Sequence, residues 1–183
     1  DTFPETFPYV MTIDADDFPN VGTCLLRYKH SPFQGDAPNY PKETTVQVDR
    51  IPPYDRTPPK APEFADDFLD DSNLPPGSKL AVTLPGYPDW EPTDIVAVYL
   101  VAADNIPTDP TTLTPIYSSI VPSPGTADTV MQIEADKIRA FSDDEAVLIY
   151  FLLDRAVNPS PLSHYKKVAL TFGPLPNPTN KPR

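Results

Sequence analysis

Cysteine occurs only once in this sequence, at Cys24, so no intrachain disulfide can form. Histidine occurs twice, at His30 and His164, and neither stands in a His-Glu-x-x-His pair; a Gly-x-Ser-x-Gly elbow is also missing. Hydrolysis by a metal or by an activated serine is therefore not written locally, although a Ser-His-Asp group can in principle assemble through space. Basic residues number 14 against 26 acidic ones, a net charge of −12, and they form no basic stripe. Such a field repels a phosphate backbone, which excludes nucleic acid as the natural partner. No apolar run approaches the ~20 residues of a membrane span, so membrane insertion is not expected, and no signal-peptide pattern opens the chain. Glycine is scarce at 6 residues.

Proline is abundant, at 27 of 183 residues. It interrupts helices and central strands, which leaves short strands joined by stiff, extended connections. A hydrophobic content of 39%, with 9 Tyr and 9 Phe, is still enough to build folded domains. Within this composition one passage recurs. Val10-Met11-Thr12-Ile13-Asp14-Ala15-Asp16 returns as Val130-Met131-Gln132-Ile133-Glu134-Ala135-Asp136, a shift of 130 − 10 = 120. Leu26 and Tyr28 answer to Leu148 and Tyr150 at 148 − 26 = 122, and an alternating apolar run closes each copy, at 44–48 and at 168–172. Self-similarity at a fixed period marks an array of modules. The second copy is preceded by a strand-like stretch from 63 to 129, the first only by residues 1–9. The expected organisation is the closing half of a module at 1–50, a proline-rich linker at 51–62, a complete module at 63–173 and a proline-rich tail at 174–183.

Local patterns predict all-β structure. In the first copy, 8–13 reads as a strand, 14–18 as a helical or 3-10 turn, 22–30 as a half-buried strand with Cys24, Leu26 and Tyr28 on one side, 31–41 as a loop and 44–48 as a third strand. In the second copy the strand candidates are 63–65, 80–84, 94–102, 115–120, 127–135, 146–153 and 165–172, with one helical turn over 135–141. The linker is expected to be extended and semi-rigid. About seven short strands broken by proline-rich turns predict a β-sandwich.

The stretch from Tyr150 through Asp154, Ala156 and Asn158 to Ser160 resembles the Tyr-x-x-x-Asp-x-Ala-Gly-Asn-x-Ser element of bacterial Ig-like repeats. Val48-Asp49-Arg50-Ile51-Pro52-Pro53 resembles the hinge that joins such repeats, and Pro85-Gly86-Tyr87 through Val96-Ala97-Val98-Tyr99 their mid-domain strand pair. Val157 stands where the motif has its turn glycine, and the second hinge, at Phe172-Gly173-Pro174, lacks the acidic residue. The resemblance implies an Ig-like sandwich in a large, secreted or cell-surface bacterial protein, often an adhesin. It implies as partners neighbouring modules or copies of the chain, and a protein or glycan receptor. A virion component and a carbohydrate-binding module are the competing classes.

Calcium is the cofactor best suited to the acidic clusters, because carboxylates are hard ligands and module junctions use this ion to stiffen a hinge. Asp49, Asp55, Asp66 and Asp67 flank the linker; Asp14, Asp16, Asp17, Asp70 and Asp71 are further candidates. None follows the spacing of a known calcium loop, so solvated acidic loops are the competing reading. Asp143 and Asp144, as neighbours in a loop, do not face each other across a cleft as a glycosidase pair does. Trp90, with Tyr87 in the same loop, is the candidate platform for a sugar ring, against a role in capping the core. Cys24 reads as a small core residue.

Overall fold

The computed structural model describes residues 10–29, 42–122, 125–142 and 144–173. The chain divides into two compact units, 1–51 and 52–183. In the first, the Asp14 side chain caps a 3-10 turn at Ala15–Asp17, accepting from Asp16 N at 3.3 Å. Strands β1 (Val21–Leu26) and β2 (Thr44–Asp49) then pair antiparallel, with Cys24 opposite Val46. Burial alternates along β1, leaving Gly22, Cys24 and Leu26 on the half-buried side. Two expectations need correction. Residues 10–13 form no strand, because a strand exists only through a paired neighbour, and Tyr28 lies beyond β1 and is exposed. The expected loop at 31–41 and tail at 174–183 lie outside the described residues.

The second unit holds β3 (Phe68–Asp70), β4 (Lys79–Leu84), β5 (Ile95–Ala102), β6 (Tyr117–Ile120), β7 (Thr129–Glu134), a short helix α1 (Ala135–Arg139), β8 (Glu145–Leu153) and β9 (Lys166–Thr171). Five strands form one sheet in the order β3-β9-β8-β5-β6, and β4 and β7 form a separate antiparallel ribbon. Val82, Leu84, Met131 and Ile133 of the ribbon share one apolar cluster with Val96, Val98, Leu148, Tyr150 and Leu170 of the sheet. Tyr99, Val101, Ile149 and Phe151, on the other face of β5 and β8, form a second cluster with Ile106 and Leu162. These two strands are therefore buried on both faces, which is why their sequences run apolar without alternation. β3 was not expected; Leu69 is buried and the strand lies parallel to the end of β9. Glu63, the expected first strand, makes only an isolated bridge to Thr83.

The two hairpins share one register. Cys24↔Val46 and Leu26↔Thr44 in the first unit become Ala146↔Val168 and Leu148↔Lys166 in the second when 122 is added to every number. Residues 52–62, expected as linker, fall within the second unit, where Pro52, Pro53, Pro59 and Pro62 are buried. His164 N donates to the Pro59 carbonyl at 2.8 Å and the Tyr150 hydroxyl to that of Lys60 at 2.8 Å.

Beyond its pairing with β9, the edge of β8 is satisfied by the chain that follows it. Ser163 Oγ accepts from Tyr150 N and Ser160 Oγ from Leu152 N, both at 3.0 Å. The intervening turn is held by Asp154, whose carboxylate takes both the backbone N–H and the side-chain amide of Asn158. Val157 sits in this turn at φ 65°, the left-handed region that a β-branched residue adopts only with strain. It is exposed, so its side chain gains little from packing. Val157→Gly is expected to stabilise the second unit by about 1 kcal/mol, a rise of roughly 4 °C in melting temperature by calorimetry. A drop would show that the turn does not carry this strain.

Candidate functional site

The loop leaving β4 doubles back at Gly86, where a Cβ would collide with the backbone of Thr126, and Tyr87 N then donates to the Gly125 carbonyl at 3.0 Å. This path drives the Tyr87 ring inward. Tyr87 is 1% exposed, stacks on Tyr54 at 5.3 Å and donates its hydroxyl to Asp94 Oδ2 at 2.7 Å. Asp94 is equally buried and also accepts from Glu91 N at 3.0 Å. Burial pushes the Asp94 carboxyl up, against the opposing effect of those two donors; burial, reinforced by Asp94, pushes the Tyr87 hydroxyl far up. Tyr87 as a ligand platform is therefore corrected: no ring face is open to a ligand. Trp90 is half-buried, packed on the main core and over Gly125, where any side chain would collide with the indole. Its placement is that of a lid on the core.

Tyr54 reaches this cluster by an unusual backbone. Tyr54, Asp55 and Arg56 all have positive φ, at 65°, 42° and 66°, a costly run for non-glycine residues. Tyr54 N donates to Asp89 Oδ2 at 2.8 Å, and Thr57 N closes onto the Tyr54 carbonyl at 2.8 Å. The sequence reading missed Tyr54, Asp94 and the Tyr150 to Lys60 bond. A Tyr beside a Pro-Pro pair and an Asp opening an apolar strand were the available signals.

Asp49 lies in the first unit and accepts from Ile51 N at 3.1 Å; Asp55, Asp66 and Asp67 lie in the second, all exposed. Asp67 pairs with Lys166 at 3.2 Å and Asp71 with Arg139 at 2.5 Å. Asp70 accepts from Ser72 and Asn73, which lowers its pKa, and the Arg139 contact lowers that of Asp71. Among the described residues no group of three or more His, Cys, Asp or Glu is placed to hold a metal. Melting curves in millimolar calcium and in EDTA are expected to coincide; a calcium-induced rise of more than about 2 °C would overturn this.

His164 is exposed, whereas His30 and Asp143 lie outside the described residues. A groove of about 750 Å³ runs between 60–67 and β9, and Lys60, Lys166, Lys167, Glu63, Asp67 and Glu145 are among its lining residues. The Lys166 amine is already committed to the Phe64 carbonyl at 2.6 Å and to Asp67. No histidine, serine or cysteine lines the groove. Cys24 is half-buried on β1, on the side that its equivalent Ala146 presents to the core.

The described residues define a strand-rich, all-β protein with several sheets and few helical turns. None of its described helices is long and apolar enough to cross a membrane. Neither a protein-family model nor a curated protein matches the sequence.

Proposed function

We propose that this chain is a non-catalytic segment of tandem Ig-like β-sandwich modules, serving as stalk or adhesive region of an extracellular bacterial protein. The observation that supports this most is the common register of the two hairpins, offset by 122 residues throughout. A repeated hairpin in one chain is what an array requires, since each module adds length and the junction limits bending. The net charge of −12 keeps such a rod soluble and self-repelling. The β4/β7 ribbon, which shares an apolar cluster with a five-stranded sheet, and the bridge from Glu63 to β4 support the sandwich reading.

Antibodies raised against residues 52–173 test the reading on intact source cells. Surface labelling that is lost when protease is added to whole cells is the expected result. Signal confined to the cytoplasm, or to purified virions, would overturn it, the latter in favour of an assembly component. A glycan array with Trp90→Ala as control tests the carbohydrate-binding alternative, and a hydrolase panel is expected to stay silent.

A further inference from the structure

The sequence Val10-Met11-Thr12-Ile13 matches Val130-Met131-Gln132-Ile133 of β7, yet the two have opposite surroundings. Met131 and Ile133 are 2% and 0% exposed, paired with Val82 and Leu80 of β4. Met11 and Ile13 are 58% and 48% exposed and belong to no strand. Downstream the copies agree. The 3-10 turn Ala15–Asp17 has three residues where α1 has five, and those two residues account for the change of shift from 120 to 122. The hairpins then coincide position for position, but the face that is buried as Ala146, Leu148, Val168 and Leu170 is only half-buried as Cys24, Leu26, Val46 and Val48.

Resting on the module reading above, we propose that residues 10–49 are the closing half of a second module, built to receive a β4-type strand. That strand, with apolar residues at alternate positions, pairs antiparallel with Val10–Ile13 and closes over the Cys24, Leu26, Val46 and Val48 face. Its source is the stretch of the same polypeptide that precedes Val10. Chain order supports this, because in the second unit β4 precedes β7 and β7 runs directly into α1. A second copy is a poor donor. Its own β4 is paired with β7 over six positions, and Val82 and Leu84 are 0% and 1% exposed, so donation would open its core. Residues 10–13 carry the pattern of a strand and pair with none of the described strands.

A chain in which a second copy of residues 52–128 is joined ahead of Tyr9 tests this, alongside the native polypeptide expressed with whatever precedes Val10 in it. In at least one of the two, labelling of the Cys24 thiol and amide exchange at 10–14 are expected to slow by about tenfold or more relative to the 183-residue chain. Met11→Asp and Ile13→Asp should restore fast labelling there. In the 183-residue chain the same substitutions should leave the melting of the second unit unchanged. That melting also reports whether each extended chain has folded. If the second unit melts normally in both extended chains and Cys24 and residues 10–14 react as fast as before, the proposal is wrong. So it is if the native reading frame holds no alternating apolar strand ahead of Val10. Labelling and exchange are independent of cellular location, so this outcome is separate from that of the surface assay.

Discussion

Leu148→Ala is expected to lower the melting temperature of the second unit by roughly 8–20 °C, the consequence of losing about 2–5 kcal/mol from a close-packed core. Leu148 is 1% exposed at the centre of β8, in the cluster shared by the sheet and the β4/β7 ribbon. Its counterpart Leu26 holds the same place in the same hairpin register, but only half-buried. Leu26→Ala should therefore cost less than about 1 kcal/mol. Scanning calorimetry of the two single variants makes the comparison. Equal losses would mean that the two hairpins are equally covered, against the burial difference between them.

Tyr87→Phe is expected to cost about 1.5–3 kcal/mol, a fall of roughly 6–12 °C, although it removes a single oxygen. It leaves the Asp94 carboxylate, 1% exposed, with Glu91 N alone. A fall of under about 2 °C would mean that water or a shifted donor replaces the hydroxyl. The same pair sets a pH dependence. The carboxyl of Asp94 is raised in the folded state, chiefly by burial, so folding favours its protonated form. Its contribution is fully present below the ordinary carboxylate pKa and is lost as pH rises through the raised folded value. Acidification from neutrality through that window should thus stabilise the second unit, and Asp94→Asn should flatten the response. Asp70, Asp71 and Asp109, whose carboxylate accepts from the backbone and hydroxyl of Thr111 in the loop before β6, act in the opposite sense. Their pKa values are lowered by hydrogen bonds, with Arg139 the leading donor for Asp71, so their stabilisation is lost only as pH falls below the ordinary carboxylate range. An unchanged slope in Asp94→Asn would remove Asp94 as the cause.

Strand positions in the second unit were legible because apolar runs bounded by proline and glycine are local. Residues 80–84, 94–102, 115–120, 127–135, 146–153 and 165–172 each contain or nearly coincide with an observed strand. The Val157 position was also legible, since a motif that calls for glycine marks a left-handed turn, and φ there is positive. β3 was not, because three residues among acidic neighbours carry no period, and only contact with β9 defines them as a strand.

Side-chain direction in the candidate loop was not legible in the sequence. Tyr87 and Trp90 stand in a polar, proline-bounded loop that leaves a sugar platform and a cap on the core both open; the close approach permitted by Gly86 and Gly125 buries Tyr87 and packs the half-buried Trp90 against the core. Asp55, Asp66 and Asp67 are close in sequence, yet among the described residues no three carboxylates are grouped to hold a metal, because proximity along an extended chain does not make carboxylates converge.

By itself the sequence determined the all-β character and most strand positions, since composition and period-2 patterning act through neighbouring residues. Only tertiary structure decided which apolar faces are covered and which polar groups are paired. Val10–Ile13 and Val130–Ile133 are nearly the same sequence, and only the second forms a strand, because only there does β4 supply the hydrogen-bonding edge and apolar cover that a strand cannot provide for itself.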